Sequence, residues 1–150
     1  MKINITGSRG FIGSRLVELL KDDHEIVEYD RNIDEDHDIE NWEPDGCEVV
    51  VHLAGLANVR KSIEEPKAYW HTNVELSKRL FSLAHRANMR ILYASSSCAK
   101  QWWLSPYGTS KRAMEAVAPS DSLGMRFTTV YGQNSRKEML VGRIRDKKLA

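Results

Sequence analysis

The chain has little of what would tie it to a membrane, a metal or a nucleic acid. Its only cysteines are Cys47 and Cys98, too few for a disulfide framework or a thiolate metal site. Free thiols in a reducing compartment are expected. No apolar run approaches the roughly 20 residues of a membrane-spanning helix. The amino terminus, Met-Lys-Ile-Asn-Ile-Thr-Gly, lacks the apolar core of a signal peptide. Lys and Arg number 22 against 21 Asp and Glu, a formal net charge of +1, which leaves no bulk electrostatic case for nucleic acid or an anionic membrane. The histidines, His24, His37, His52, His71 and His85, show no ligand spacing, so no metal is expected. These absences predict a cytoplasmic globular protein whose partners include neither nucleic acid nor membrane.

What the chain does have is alternation. Residues 2–6 read as a strand ending at Gly7, and residues 11–21 as a helix with Ile12, Leu16, Leu19 and Leu20 on one face. A second strand covers 25–29 and closes at Asp30. Residues 31–45 are acidic and loop-like, with a helical turn near Trp42. The run Glu48-Val-Val-Val-His-Leu53 is what a strand buried on both faces looks like. Pro66 opens a long helix, 66–87, because proline fits the first helical turn. A strand at 91–94, a helix at 105–117 capped by Ser105 and a strand at 125–130 follow. Strands and helices alternating at this spacing predict a single α/β domain over 1–150 with a doubly wound parallel sheet. Residues 135–150 are basic, with Met139, Leu140 and Ile144 at rough helical spacing, and read as a solvated amphipathic helix.

The turn Thr6-Gly-Ser-Arg-Gly-Phe-Ile-Gly13 joins the first strand to the first helix. In that context Gly7 allows the tight turn, Gly10 admits a pyrophosphate to the backbone, and Gly13 lets the helix pack on the sheet. The helix N-terminus offers free amides and a partial positive charge to the anion. Asp30, about twenty residues on, stands where a carboxylate accepts hydrogen bonds from ribose hydroxyls and repels a 2′-phosphate. That favours NAD over NADP. Arg31 beside it could hold a phosphate, which keeps NADP as the second choice.

A second group lies further along. Ser95-Ser-Ser97 follow the strand at 91–94, and Tyr107 and Lys111 sit at i and i+4 on the next helix, on one face. An ammonium one turn from a phenol favours the phenolate. A phenol so tuned can take a proton from an alcohol while hydride passes to a nicotinamide, and a serine hydroxyl can hold the same oxygen. Cys98 has no cationic or basic neighbour in sequence that would argue for a reactive thiolate.

Together these segments resemble the extended short-chain dehydrogenase/reductase family, the NAD-dependent nucleotide-sugar epimerases and dehydratases, and within it the UDP-galactose 4-epimerase-like group. The resemblance is carried by the glycine turn, His52-Leu-Ala-Gly-Leu56, Thr72-Asn-Val74, Ala94-Ser-Ser-Ser97, Pro106-Tyr-Gly-Thr-Ser-Lys111 and Arg126-Phe-Thr-Thr-Val-Tyr-Gly132. It implies a Rossmann-type, three-layer αβα fold. It implies that Gly7, Gly10, Phe11, Ile12 and Gly13 hold the pyrophosphate and that Asp30, with Arg31 beside it, meets the adenosine ribose. Asp38 and Ile39 would flank the adenine. Leu53, Ala54, Gly55, Asn73 and Ser95 would line the cofactor cleft. Ser97, Tyr107 and Lys111 would be the catalytic set, with Lys111 also on the nicotinamide ribose. The implied substrate is a nucleotide sugar, a UDP-sugar by preference, and the implied assembly is a homodimer through helices 66–87 and 105–117.

The chain also departs from that family. Members are roughly twice as long, and most of their C-terminal substrate subdomain has no counterpart here, with 133–150 read as its remnant. The segment between Ser97 and Tyr107 is short, and Trp102 and Trp103 are expected to fill the space its missing loop leaves, or else to stack on a uracil or a sugar face. Thr129 replaces an asparagine common in the family, and Pro119-Ser-Asp-Ser cuts short the helix after Lys111. Two functions therefore stand side by side: a nucleotide-sugar epimerase or dehydratase, or a catalytically reduced NAD(P)-binding module or fragment that acts as a sensor or as part of a larger assembly.

Overall fold

The computed structural model describes residues 1–132 and, beyond them, Ile144 alone. Ile144 apart, the amphipathic helix expected over 135–150 and the remnant expected over 133–150 lie outside the described residues. Five strands form one parallel sheet: β1 (Lys2–Thr6), β2 (Glu25–Tyr29), β3 (Val49–His52), β4 (Arg90–Ser96) and β5 (Leu123–Phe127), in the order β2-β1-β3-β4-β5. The order reverses between β1 and β3, the doubly wound arrangement, and ligands of such sheets bind beyond the carboxyl ends of the strands at that switch point.

Helix α1 (Phe11–Leu20) covers one face, laying Leu16, Val17 and Leu20 on Ile3, Ile5, Val49 and Val51. The other face carries α4 (Ser77–Arg86) and α5 (Pro106–Val117), whose Leu80, Phe81, Ala84 and Met114 meet Val50, Ile91 and Tyr93. The three layers expected of the chain are therefore present. β3 is buried along its whole length, as its valine run requires. None of the helices among the described residues is long and apolar enough to cross a membrane.

The predicted 66–87 helix is present but not uniform. It runs as α3 (Pro66–Trp70), a wider π-helical turn at His71–Leu76, and α4. Before it stands a short helix the sequence pattern did not reveal, α2 (Val59–Glu64), whose cap Asn58 accepts from the Lys61 amide. The acidic loop makes its helical turn at Ile39–Asn41, capped by Asp38. Trp42 behind it is fully buried and donates its indole N–H to Asn4 Oδ1 at 2.9 Å.

Two expectations need correction. The last strand was expected over 125–130 and is found at Leu123–Phe127. β4 sets this boundary: Ser96 pairs with Phe127, and the chain of β4 then curls into a 3₁₀ turn, leaving residues 128–130 no strand to pair with. Trp102 and Trp103 do not fill a gap. They are 45% and 62% exposed, packed edge to face on each other. The 3₁₀ segment Ser97–Leu104 already sits so tightly on α5 that a Cβ on Gly108 would come within 3.0 Å of the Cys98 carbonyl oxygen.

Candidate active site

The glycine turn lies at the switch point, between β1 and α1. Gly7 adopts φ +70°, and a Cβ there would lie 2.7 Å from the Ala54 nitrogen, so only glycine lets the turn run beside the chain leaving β3. Its amide donates to the Tyr29 carbonyl at 2.7 Å, tying the turn to β2. Gly13 is closed differently: a Cβ would fall 2.0 Å from the Gly7 oxygen, which is why α1 can press onto the turn. Gly10 is the open one. It caps α1 with no side-chain hydrogen bond, and beside it a Cβ would meet only the Gly7 oxygen, at 3.0 Å. The first amides of α1 are thus left without a side-chain cap. Ser8 Oγ is buried with no partner among the described residues.

Around this turn, Asp30 accepts from the Arg9 amide at 2.9 Å through one oxygen and from the Asn32 amide and side chain through the other. The carboxylate is buried and fixed at the end of β2, with Arg31 exposed beside it. Phe11 and Ile12 open α1. Asp38 caps its own turn through the Glu40 amide, and Ile39 is buried. Leu53 and Ala54 are half-buried and Gly55 is exposed.

On the other side of the switch point, Asn73, Gly55 and Lys111 converge. A Cβ on Gly55 would lie 2.9 Å from Asn73 Oδ1 and 3.3 Å from Lys111 Nζ. Asn73 comes from the π-helical turn. Its amide accepts from the Leu56 N–H and donates to the Leu56 carbonyl and to Ser110 Oγ, so it braces the loop after β3 against α5. Lys111 is buried and donates to the Ala94 carbonyl at 2.9 Å. Burial pushes its pKa down to about 8, against the pull of Glu115. Tyr107, one turn earlier, is buried beside it with its ring edge-on to Tyr69, centroids 6.3 Å apart. Ser105 caps the helix as its sequence position suggested, accepting from the Gly108 amide at 3.0 Å.

The three serines separate. Ser95 is buried and donates to Glu115 Oε1 at 2.5 Å. Ser96 accepts from the Cys98 amide. Ser97 begins the 3₁₀ segment and is half-buried. His52 links Thr6 Oγ1 and Ser77 Oγ at 2.7 and 2.9 Å. Burial, reinforced by the charge of Lys111, holds its pKa down at about 3, so it is neutral. Glu115 was missed by the sequence reading. It stands four residues after Lys111, so the same i, i+4 rule that paired Tyr107 with Lys111 pointed to it.

Residues 3–101 match the model of the NAD dependent epimerase/dehydratase family. The chain belongs to that family. Protein CapI of Staphylococcus aureus is 30% identical over 190 residues, which cover 93% of this chain and 57% of CapI. UDP-glucose 4-epimerase of Neisseria meningitidis serogroup C is 29% identical, covering 77% of this chain and 47% of its own. Among solved structures, MoeE5 in complex with UDP-glucose and NAD superposes with a TM-score of 0.78 at 28% identity, over 95% of this chain and 59% of MoeE5. The chain therefore spans less than two thirds of each of these relatives. The CapI match is longer than this whole chain, so CapI carries segments within it that this family member lacks. The family match ends before Tyr107 and Lys111, whose placement rests on α5 itself.

Proposed function

We propose that this family member binds NAD, in preference to NADP, on the turn from Gly7 to Gly13, and that Ser97, Tyr107 and Lys111 act on a hydroxyl of a nucleotide-activated sugar, a UDP-sugar by preference. The observation that carries the reading is the buried Tyr107–Lys111 pair, one turn apart on α5 beside Gly55, at the strand ends where the glycine turn also opens. The glycine turn fits a dinucleotide, because Gly10 leaves room at an uncapped helix N-terminus.

Gly7, Gly10, Phe11, Ile12 and Gly13 would hold the pyrophosphate, and Asp30, with Arg31 beside it, the adenosine ribose. Asp38 and Ile39 would border the adenine, and Leu53, Ala54, Gly55, Asn73 and Ser95 would form the wall towards the nicotinamide. When bound, NAD supplies the hydride acceptor and donor. Lys111 stabilises the phenolate of Tyr107. Tyr107 takes the proton of the sugar hydroxyl as its C–H electron pair departs, and returns it when the carbonyl is reduced again. Ser97 holds the hydroxyl oxygen in place. The UDP-glucose and NAD named in the MoeE5 structure support this choice of ligands.

Two copies would pair through helices 66–87 and 105–117. In support, Ile63, Trp70, Trp103 and Leu104 stand exposed around Pro66 and Pro106, lining an open groove of about 600 Å³. Apolar patches of this kind mark interaction surfaces. The second reading is an NAD-binding module without turnover. Incubation with NAD and a panel of UDP-hexoses, followed by absorbance at 340 nm and sugar analysis, separates the two. Epimerised sugar or NADH that disappears with Tyr107→Phe supports the enzyme. NAD binding with no turnover at high protein concentration supports the module.

A further inference from the structure

Among the described residues Glu115 is the most heavily bonded carboxylate. Its Oε1 accepts from Ser95 Oγ at 2.5 Å and from Arg126 Nε at 2.7 Å. Its Oε2 accepts from Arg126 Nη2 at 2.7 Å and from Arg112 Nη1 at 3.3 Å. The Arg126 contact is a two-pronged, charge-assisted pair. Ser95 and Arg126 are register partners on β4 and β5, so one side chain binds α5 to both strands. One turn earlier, Lys111 grips the same strand at Ala94, the residue before Ser95. α5 is therefore fastened to β4 at two consecutive turns, once by the ammonium and once by the carboxylate.

The two anchors are unequal in charge. The carbonyl that receives Lys111 is neutral, and the ammonium is buried, a costly place for a charge. His52 of β3 is neutral, its protonation opposed by burial and by the ammonium. Asn73 of the π-helical turn and Tyr69 of α3 carry no charge, and Tyr107 is on its own helix. Arg126 of β5 is positive and bonded to Glu115. Glu115 is the carboxylate acting on Lys111, and with Arg126 foremost and Ser95 and Arg112 as donors its own pKa sits down at about 2. It is an anion at neutral pH.

We propose that Glu115 is a positioning residue for the Tyr107–Lys111 pair: it locks α5 onto β4 and β5 one turn beyond Lys111, and places a fixed negative charge on the ammonium's own helix. The inference rests on the reading of that pair as the reacting centre. It also specifies which neighbour keeps the pair aligned and Lys111 protonated near neutral pH.

The test reads Lys111 directly. Protein labelled with ¹³C at lysine Cε is titrated by NMR, the Lys111 signal being assigned by its absence in Lys111→Arg. In Glu115→Gln, which keeps the side-chain length and removes the charge, the Lys111 midpoint is expected to fall by about half a pH unit or more. Glu115→Asp is expected to recover part of the shift. In Arg126→Met, which leaves the carboxylate without its neutralising partner, the midpoint is expected to rise. That variant also serves if Glu115→Gln does not fold. An unchanged midpoint in either folded charge variant overturns the proposal, whereas a purely structural clamp would lower the melting temperature and leave the midpoint alone. The titration needs neither cofactor nor substrate. A responsive Lys111 in a protein that binds no NAD would remove the proposed function and keep this coupling, and the reverse result would do the opposite.

Discussion

Lys111 Nζ lies 2.9 Å from the carbonyl oxygen of Ala94, so the helix that carries Tyr107 is tied to the strand that delivers Ser95, Ser96 and Ser97. A buried ammonium with a neutral acceptor is a strained arrangement in a small domain, and it makes several properties of this chain measurable.

The first concerns alkaline pH. The Lys111 pKa lies at about 8 in the folded chain, below its unfolded value near 10.4. Between those values the unfolded state binds more protons, so stability gains with rising pH from this group. Below pH 8 the penalty for the buried charge is fully present. Urea unfolding of wild type and Lys111→Met at pH 8, 9 and 10 is expected to show the wild type gaining on the variant, by up to about 1.4 kcal/mol per pH unit. A flat difference would mean that Lys111 is not desolvated.

His52 acts at the other end of the scale. Its folded pKa of about 3 is below the unfolded value near 6.5. Its contribution is complete above pH 6.5 and is lost as pH falls towards 3. His52→Phe is expected to flatten the acid limb relative to wild type. At pH 7 it is expected to cost about 2–4 kcal/mol, because Thr6 and Ser77 lose a buried partner. Denaturation midpoints at pH 4, 5.5 and 7 check both.

The glycines of the turn divide by what their missing β-carbons would strike. Gly13→Ala drives a methyl to 2.0 Å from the Gly7 oxygen and is expected to prevent a stable fold. Gly10→Ala meets one atom at 3.0 Å and is expected to melt within a few degrees of wild type while losing its response to NAD. Thermal melts with and without NAD distinguish this from a turn that serves only to connect β1 to α1.

The exposed aromatics give a prediction about assembly. Trp103→Glu combined with Leu104→Lys puts charge into the groove beside Pro66 and Pro106. Sedimentation velocity is expected to show the wild type as a dimer and the double variant as a monomer of unchanged circular dichroism. A wild type that sediments as a monomer at all concentrations would remove the dimer from the account.

What the sequence made legible was local. The glycine turn, the Ser105 cap and the buried valines of β3 each declare themselves within a few residues, because steric allowance, capping and burial act at that range. Val59–Glu64 escaped notice because a six-residue helix offers too few periodic positions to read. The end of β5 is set by where β4 stops, which is a fact about its partner. The exposure of Trp102 and Trp103 follows from the fit of Gly108 under the 3₁₀ segment. The Glu115–Arg126–Ser95 cluster joins three elements that only the folded sheet brings together.

The central claim is that the turn from Gly7 to Gly13 holds NAD, with Asp30 selecting it over NADP. Isothermal titration of the purified chain with each dinucleotide tests it most directly. The account predicts one NAD bound per chain, weaker NADP binding, and loss of that preference in Asp30→Ala. No heat and no saturation with NAD, on protein shown to be folded, would contradict it.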